Sequence, residues 1–264
     1  MEKEIRTQNS CRNKIFAGVI FLCLILFCES AFSESYGKNL YRNLRKRLSN
    51  DRTKYSHLTD REFSNFRAVI PGKLYRSSSP VNTWGKRNLI ADREAKIEGV
   101  KTFINLADTN QSMKNYEGFS ESYYSRQKII GLKLSTKFFT EEFQQGLLRG
   151  IKFMLENEPP YLIHCDLGKD RAGFVCALIE SLIGMSREEI ENDYMRSFYN
   201  YFGVVKGSKE YEYILENEIK NFLAKAFGVE SINKVNLSEC AERYFLKIGL
   251  SPAEIGELRR ILRF

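Results

Sequence analysis

The segment spanning residues 161–184 constrains the fold of this chain more than any other part. It begins with a short apolar run, YLIHC (161–165), and passes through a charged turn that contains glycine, DLGKDR (166–171). An apolar helical pattern then continues to residue 184. A buried strand that leads through a tight turn into a helix is typical of an α/β domain. In such domains the turn lies at the carboxyl edge of the sheet, where ligands bind.

Strand and helix patterns also alternate before this segment. Short β-rich runs bounded by Gly, Pro, Ser or Asp predict further strands at 72–78, 100–107 and 128–134. Apolar residues at helical spacing predict helices at 86–98 and 140–157. After Ser186 the pattern predicts helices alone, at 186–198, 208–228, 236–248 and 251–263. We therefore expect an α/β fold with a helical C-terminal part.

The N-terminal region has the layout of a secretory signal peptide. Basic residues precede the apolar run IFAGVIFLCLILFC (15–28), and small residues follow at Ala31 and Ser33. The run is shorter than the roughly 20 residues of a spanning helix, which argues against the alternative of an uncleaved membrane anchor. We predict a signal peptide over 1–33 and a charged leader over 34–62. The mature protein is expected to be periplasmic or secreted, without stable membrane insertion after cleavage.

The chain is basic, with a formal net charge of +8. A basic surface attracts anions in general. No helix-turn-helix, zinc-finger or aromatic RNA-binding pattern accompanies the charge, so nucleic acid is not an expected partner. Phosphorylated proteins, lipids and small molecules suit this charge equally well.

The cysteine content indicates a free thiol. Of the six cysteines, Cys165, Cys176 and Cys240 follow the predicted signal peptide. An odd count in an exported protein leaves at least one cysteine without an intramolecular partner. These three lack the C-x-x-C spacing of zinc sites, so we expect no metal and no other cofactor.

The turn between Cys165 and Arg171 has the composition of a phosphate-binding loop. A tight C-x5-R turn would aim several backbone N–H groups at one point, and the N-terminus of the following helix would add to their field. Gly168 allows the backbone to turn without a clash at Cβ. Arg171 supplies a planar guanidinium that can hold two phosphate oxygens at once, as lysine cannot. An oxyanion site is therefore predicted here.

The same field acts on the cysteine at the start of the loop. A thiol that faces a helix N-terminus, Lys169 and Arg171 loses its proton more readily than a free thiol. Cys165 is therefore expected to be a nucleophilic thiolate. His164 precedes it in the strand and points to the opposite face, so we assign it a supporting hydrogen bond to the loop. An isolated His-Cys pair is more often part of a core, but the loop that follows favours a catalytic site.

These residues carry a family resemblance. HCDLGKDRAG resembles the H-C-x5-R loop of cysteine-dependent protein tyrosine phosphatases, in particular the bacterial tyrosine/serine phosphatase-like branch with G-K-D-R. The resemblance covers residues 63–264, the predicted catalytic domain. The flanking stretches that resemble the branch are NFRAVIPGKLYRSSSP (65–80), GVKTFINLAD (99–108), GMSREEIENDYMRS (184–197) and YFLKIGLSPAEIGELRRIL (244–262). The resemblance implies the cysteine-phosphatase fold, whose central sheet is mostly parallel and flanked by helices.

The resemblance also implies a two-step mechanism without a metal. Cys165 attacks phosphorus to give a phosphocysteine, which water then hydrolyses, and Arg171 holds the phosphoryl oxygens. Asp170, at the aspartate position of G-K-D-R, is expected to be the general acid. Its alternative role is to pair with Lys169 or Arg171 and hold the loop in shape. Ala172 departs from the Thr or Ser that is frequent in the family, which implies slower release of phosphate from the cysteine.

The remaining candidate residues have assigned roles with open alternatives. The side chains and amides expected to bind the substrate phosphate belong to Asp166, Leu167, Gly168 and Lys169. Arg76 is expected to bind substrate, with a fold-stabilising ion pair as the alternative. Asp108 follows a strand, where it is a candidate second acid or a turn former.

We expect a phosphatase that acts on phosphotyrosine, with phosphoserine, phosphothreonine or phosphoinositide as a wider range. The alternatives are an inositol-phosphate phosphatase of the phytase-like kind and a phosphate-binding module with weak catalysis. A rhodanese-like sulfurtransferase also places a cysteine between a strand and a helix. Its partner would be a sulfur donor rather than a phosphorylated protein, lipid or inositol phosphate.

Overall fold

A computed structural model describes residues 35–263 of the chain. The predicted signal peptide at 1–33 lies outside these residues. The chain divides into two compact units between Arg47 and Leu48. The described part of the first unit is a helix over 35–47, here called α1. Within residues 35–263, no helix is both long and apolar enough to cross a membrane.

The second unit is built on a five-stranded sheet formed by described residues. Its strands are β1 (Arg67–Ile70), β2 (Leu74–Ser77), β3 (Thr102–Asn105), β4 (Lys128–Gly131) and β5 (Tyr161–His164). Their order across the sheet is β1-β2-β5-β3-β4. β1 pairs antiparallel with β2, and the other pairings are parallel. The mostly parallel sheet confirms the predicted fold class.

β5 lies at the centre of the sheet, between β2 and β3. All its residues are buried, as expected for a strand of a parallel sheet that is covered on both faces. Its last residue, His164, pairs with Ser77 on one side and Asn105 on the other. The loop that follows β5 therefore leaves the sheet between the carboxyl ends of two neighbouring parallel strands.

Sequence patterns did not predict β1. RAVI is short, and it begins with a half-buried arginine. A turn through Pro71 and Gly72 folds it back onto β2, and Gly72 has a positive φ of 70° there. The strand exists because of this antiparallel pairing rather than because of its own composition.

The predicted helices all form, together with one short helix before β1 that the sequence did not predict. Those of the second unit are α2 (Asp60–Phe63), α3 (Asn88–Ile97), α4 (Glu141–Glu156), α5 (Asp170–Ile183), α6 (Arg187–Phe202), α7 (Lys209–Leu215), α8 (Asn221–Phe227), α9 (Leu237–Ile248) and α10 (Pro252–Leu262). A π-helical turn at Glu216–Lys220 joins α7 to α8, so the predicted helix at 208–228 is one irregular helical stretch. The helices α6–α10 form the expected helical C-terminal part.

α5 is the helix that the site depends on. It follows the loop after β5 and is buried along nearly its whole length. Phe174 of α5 stacks on Phe138 at a ring-centroid distance of 4.6 Å and also meets Phe143 of α4. This aromatic packing fixes the axis of α5 and with it the direction of its N-terminus.

Part of the predicted charged leader belongs to the core of the second unit. Tyr55 and Leu58 are buried and pack together with Phe63. Thr59 begins α2 with a reciprocal capping box, in which Glu62 bonds back to the Thr59 N–H at 2.9 Å. Two apolar side chains of the predicted leader are therefore covered by the core, while its other residues in 55–62 are exposed or partly exposed.

Candidate active site

The loop at residues 165–169 connects β5 to the first turn of α5. Gly168 adopts a φ of +64°, and a Cβ added there would lie 2.0 Å from the carbonyl oxygen of Ser77. Both the conformation and the close approach to β2 require glycine at this position. The loop lies at the carboxyl edge of the sheet, as the sequence predicted.

The loop carbonyls are all bound by the surrounding scaffold. The Asp166 carbonyl accepts from the Ser79 N–H at 3.0 Å. The Leu167 carbonyl accepts from the Tyr201 hydroxyl at 2.7 Å and from Asn65 Nδ2 at 3.0 Å. Arg76 Nη2 donates to the Gly168 carbonyl at 2.7 Å and to the Lys169 carbonyl at 3.0 Å, and the Gly173 N–H also donates to the Lys169 carbonyl, at 2.9 Å. The described residues offer no acceptor to the backbone N–H groups of residues 166–169. The loop therefore turns its carbonyls outward and leaves its N–H groups free for an anion.

Arg76 supports the loop from behind. Its side chain is 0% exposed, and it pairs with the Asp193 carboxylate while donating to the Gly168 and Lys169 carbonyls. The guanidinium of Arg76 bonds to these buried partners, and its side chain is not exposed to solvent. These contacts agree with the alternative of a fold-stabilising ion pair rather than with substrate binding.

Asp193 completes the support behind Arg76. Arg67 Nε donates to its carboxylate at 2.6 Å, and Arg76 donates to the other carboxylate oxygen. Burial alone would raise the pKa of Asp193, but the two guanidinium groups more than offset it and hold this pKa below its usual value. Removal of Asp193 would leave two buried guanidinium groups without their counter-charge, which is the costly case for buried ion pairs.

Cys165 lies at the start of the loop, and Arg171 lies just after its end, in α5. Cys165 is a free thiol, 3% exposed, at the end of β5. Arg171 lies in the first turn of α5, and its Nη1 donates to the carbonyls of Leu134 at 3.0 Å and Leu106 at 3.3 Å. Burial lowers the pKa of Arg171, but the charges of Cys165 and Asp166 outweigh this effect and raise it. The guanidinium is thus held in a fixed orientation and stays charged.

Asp166 is held by contacts on both carboxylate oxygens. Oδ2 pairs with Arg171 Nη2, and Oδ1 accepts a hydrogen bond from Asn82 Nδ2 at 3.0 Å. The side chain remains 42% exposed. Asp166 was expected to bind the substrate phosphate. Its carboxylate pairs with Arg171, and phosphate binding by its backbone N–H stays a prediction.

Lys169 and Asp170 pair with each other. The Lys169 ammonium contacts the Asp170 carboxylate and lies 4.3 Å from the centroid of the Phe198 ring. Lys169 is only 12% exposed, whereas the Asp170 side chain is 42% exposed. Burial lowers the pKa of Lys169, but Asp170 and Glu218 reverse the shift and raise it. The Lys169 side chain therefore points into the protein, and only its backbone N–H is available to a substrate phosphate.

His164 is buried beneath the loop. Its Nε2 lies 3.2 Å from the Tyr124 hydroxyl, and its Nδ1 lies 3.5 Å from the Cys165 carbonyl oxygen. Burial lowers the pKa of His164 to about 3, so the imidazole is neutral near pH 7. These contacts agree with the predicted supporting role, and a neutral imidazole cannot supply a proton as imidazolium.

Asp108 ends the turn after β3. Its carboxylate accepts hydrogen bonds from the Tyr116 hydroxyl at 3.0 Å and from Asn105 Nδ2 at 3.2 Å, and its N–H donates to Asn105 Oδ1 at 3.0 Å. Burial, followed by the charges of Asp108 and Asp166, raises the pKa of Tyr116 to about 12. Asp108 thus has the contacts of a turn former, the alternative that was left open.

Several residues that support the site were not found from sequence. Asp193, Ser197 and Tyr201 lie four residues apart on α6, so their polar groups share one face of that helix. Such spacing of polar residues on a buried face was a usable signal. Asn65 has a positive φ of 56° and donates to two loop carbonyls, and sequence offers no comparable signal for it.

Comparisons with known proteins agree with this geometry. The model of the tyrosine phosphatase family matches residues 88–263, which include the loop and most of the sheet. Triple specificity protein phosphatase PtpB of Mycobacterium tuberculosis is 37% identical over 71 residues, which make up 24% of this chain and 26% of PtpB. The match thus spans about a quarter of the relative's own length.

Two solved structures are similar to this chain at lower sequence identity. The core catalytic domain of the PP-IP phosphatase SIW14 from S. cerevisiae, in complex with citrate, has a TM-score of 0.38 and 22% identity, covering 62% of this chain and 92% of that one. TpbA from P. aeruginosa, in complex with pTyr, has a TM-score of 0.35 and 16% identity, covering 57% and 94%. The family model covers more than half of the chain. The protein therefore belongs to the tyrosine phosphatase family.

Proposed function

We propose that this enzyme hydrolyses phosphate monoesters through a phosphocysteine intermediate, with phosphotyrosine as its leading substrate. The observation that carries the proposal is the loop at 166–169, whose carbonyls are bound outward while its N–H groups lack acceptors among the described residues. Such a nest holds a tetrahedral oxyanion directly above Cys165. Arg171, with its guanidinium beside the loop, matches the planar recognition of two phosphate oxygens.

The first chemical step forms a bond between sulfur and phosphorus. The Cys165 thiolate attacks phosphorus in line with the ester oxygen, the P–O bond breaks, and the leaving oxygen takes a proton. In the second step water attacks phosphorus, the S–P bond breaks, and the products are inorganic phosphate and the thiolate. The loop amides and Arg171 stabilise the equatorial oxygens in both transition states, since these groups are already oriented.

The leaving group decides how much acid assistance the first step needs. A tyrosine phenol has a pKa of about 10, whereas an alkyl alcohol resembles water at about 15.7. Aryl phosphates are therefore the easier substrates. We include phosphoserine, phosphothreonine and phosphoinositides as further substrates in this proposal. The similarity to PtpB, a triple specificity protein phosphatase, supports this wider substrate range.

An acid-quench experiment tests the proposal. The enzyme is mixed with a ³²P-labelled phosphotyrosine peptide and stopped in acid within the first turnover. We expect up to one phosphoryl group per chain, bound to Cys165 and located by mass spectrometry. Label on another residue, or release of phosphate without any labelled enzyme, would refute the phosphocysteine route. A parallel panel of a phosphoserine peptide, a phosphoinositide and thiosulfate separates the wider range and the sulfurtransferase alternative.

Asp170 is the proposed general acid. Its side chain is 42% exposed in the first turn of α5, one residue before Arg171, whereas Asp108 is buried in its own turn. Asp170→Asn is expected to slow hydrolysis of an alkyl phosphate about 100- to 1,000-fold, because a positioned acid contributes roughly 100- to 10,000-fold. An aryl phosphate with a weakly basic leaving group should lose less than about tenfold. Steady-state kinetics on both esters measure the difference.

Asp108→Asn is the matched control for this prediction, since it removes a neighbouring carboxylate of the same length. It should affect the two esters equally. If Asp170→Asn also slows both esters equally, Asp170 acts only as the partner of Lys169 and the assignment fails. If Asp108→Asn shows the leaving-group dependence instead, the acid is Asp108.

A further inference from the structure

The charges immediately around the phosphate loop are balanced, although the chain carries a net charge of +8. The loop and first helical turn contain two cations, Lys169 and Arg171, and each is paired with a carboxylate, Asp170 and Asp166 respectively. A Cys165 thiolate adds one more negative charge. These side chains and the thiolate together carry one net negative charge, so a bound phosphate depends on the loop N–H groups and the Arg171 guanidinium, and the loop has no surplus positive charge for a second phosphate.

Lys169, the loop side chain best placed in sequence to meet a second phosphate, is nearly buried and already paired. Lys169 lies over the Phe198 ring, bonded to Asp170 and nearly buried. Lys133 and Lys137 flank Leu134, whose carbonyl binds Arg171, but both side chains are exposed to solvent. Water and salt screen charges at such positions, so they attract a polyanion only weakly.

Asp166 is the carboxylate that a substrate would meet. It is 42% exposed, and its orientation is fixed by Asn82 on one oxygen and Arg171 on the other. Its charge also acts on Tyr116 beside the turn after β3. A phosphate held by the loop amides would thus place any further phosphates of the same molecule near a fixed negative charge.

We propose that Asp166 is a specificity-determining residue that selects esters with a single phosphate group and disfavours polyphosphorylated molecules such as inositol polyphosphates. The inference rests on the proposed phosphatase function and concerns which substrates that site accepts. A monoester carries its charge on the phosphate that the loop neutralises. An inositol polyphosphate brings several more charges, each of which is repelled by Asp166 at short range.

Binding measured without turnover tests this directly. Cys165→Ser in the full chain serves as the background, and calorimetry gives its affinities for phenyl phosphate and for inositol hexakisphosphate. Adding Asp166→Asn should strengthen binding of the hexakisphosphate relative to phenyl phosphate by about tenfold, because one fixed repulsive charge is removed. The gain should shrink as ionic strength rises, since screening weakens the repulsion that the variant abolishes.

Asp166→Glu is the matched control, because it keeps the charge and moves it by one methylene. It should retain the original preference for phenyl phosphate. If Asp166→Asn weakens or strengthens both ligands by the same factor, Asp166 acts only by positioning Arg171 and the inference is overturned. If the native enzyme, with both Cys165 and Asp166 in place, hydrolyses no monoester, the proposed function itself is overturned. If the native enzyme hydrolyses monoesters but Asp166→Asn leaves the ratio of the affinities for inositol hexakisphosphate and phenyl phosphate unchanged, only the role of Asp166 is overturned.

Discussion

Cys165→Ser is expected to lower kcat on a phosphotyrosine peptide by on the order of 10⁴-fold or more, while the peptide still binds. A neutral hydroxyl is a poor nucleophile at phosphorus, and the two ring nitrogens of His164 contact the Tyr124 hydroxyl and the Cys165 carbonyl rather than the side chain at position 165. The free N–H groups of the loop and the Arg171 guanidinium remain in place to bind phosphate. Initial rates and calorimetry on the same preparation give the two quantities.

Cys240→Ser is the matched control for this substitution. Cys240 is also a buried free thiol, but it lies on α9 and not in the loop. It should lower stability by no more than about 1–3 kcal/mol, because Arg243 Nη2, which lies 3.1 Å from the Cys240 sulfur, remains as a donor to the new hydroxyl, and turnover of the folded enzyme should persist. Residual activity of Cys165→Ser within tenfold of the native enzyme would mean that another group attacks phosphorus.

Arg171→Lys is expected to reduce kcat several hundredfold. Its guanidinium bonds to the carbonyls of Leu134 and Leu106 and to Asp166, which together fix the plane that faces the loop. Lysine keeps the charge but loses the planar fork, so the bidentate contact to the phosphoryl oxygens is lost. Loss of one preorganised donor at a developing charge costs about 100- to 1,000-fold in kcat. Separate determination of kcat and KM measures the effect.

Whether Arg171→Lys changes kcat or KM distinguishes two roles of Arg171. A contact that strengthens in the transition state lowers kcat, whereas uniform binding raises KM alone. An increase in KM with unchanged kcat would therefore contradict the transition-state role. Arg93→Lys is a suitable control, because Arg93 is half-exposed on α3 and pairs with Asp60 and Glu94 at the surface. It should leave both constants within about twofold, as expected for an exposed ion pair.

The support of the loop shows how site and fold depend on each other. Arg76 comes from β2, Asp193 and Tyr201 from α6, and Asn65 from the segment before β1, and all four act on loop carbonyls or on their donors. Because these groups bind the carbonyls, the loop cannot flip its peptide units and bury its own N–H groups. The orientation of the loop N–H groups is thus fixed by buried polar residues that bind the loop carbonyls.

The amino-acid sequence by itself determined the local units of this protein. The alternation of β5, the loop and α5, the positions of Cys165 and Arg171, and the tight turn at Gly168 all follow from patterns within a few residues of one another. Periodicity also predicted every helix of the second unit beyond Ser186. Such features depend on backbone conformation and on which face of an element is apolar, and both are encoded locally.

Only the tertiary structure decided the direction of the charged side chains. Arg76 and Asp193 are 117 positions apart in the chain, and Asn65 reaches the loop from 102 positions away, so no local pattern relates them. The same holds for β1, which became a strand by pairing with β2. Lys169 could have faced a substrate, but packing of α6 placed the Phe198 ring against its ammonium, which also pairs with the adjacent Asp170. A charged side chain with several rotamers of similar intrinsic energy takes the one that its distant neighbours stabilise, and those neighbours are set only when the elements pack.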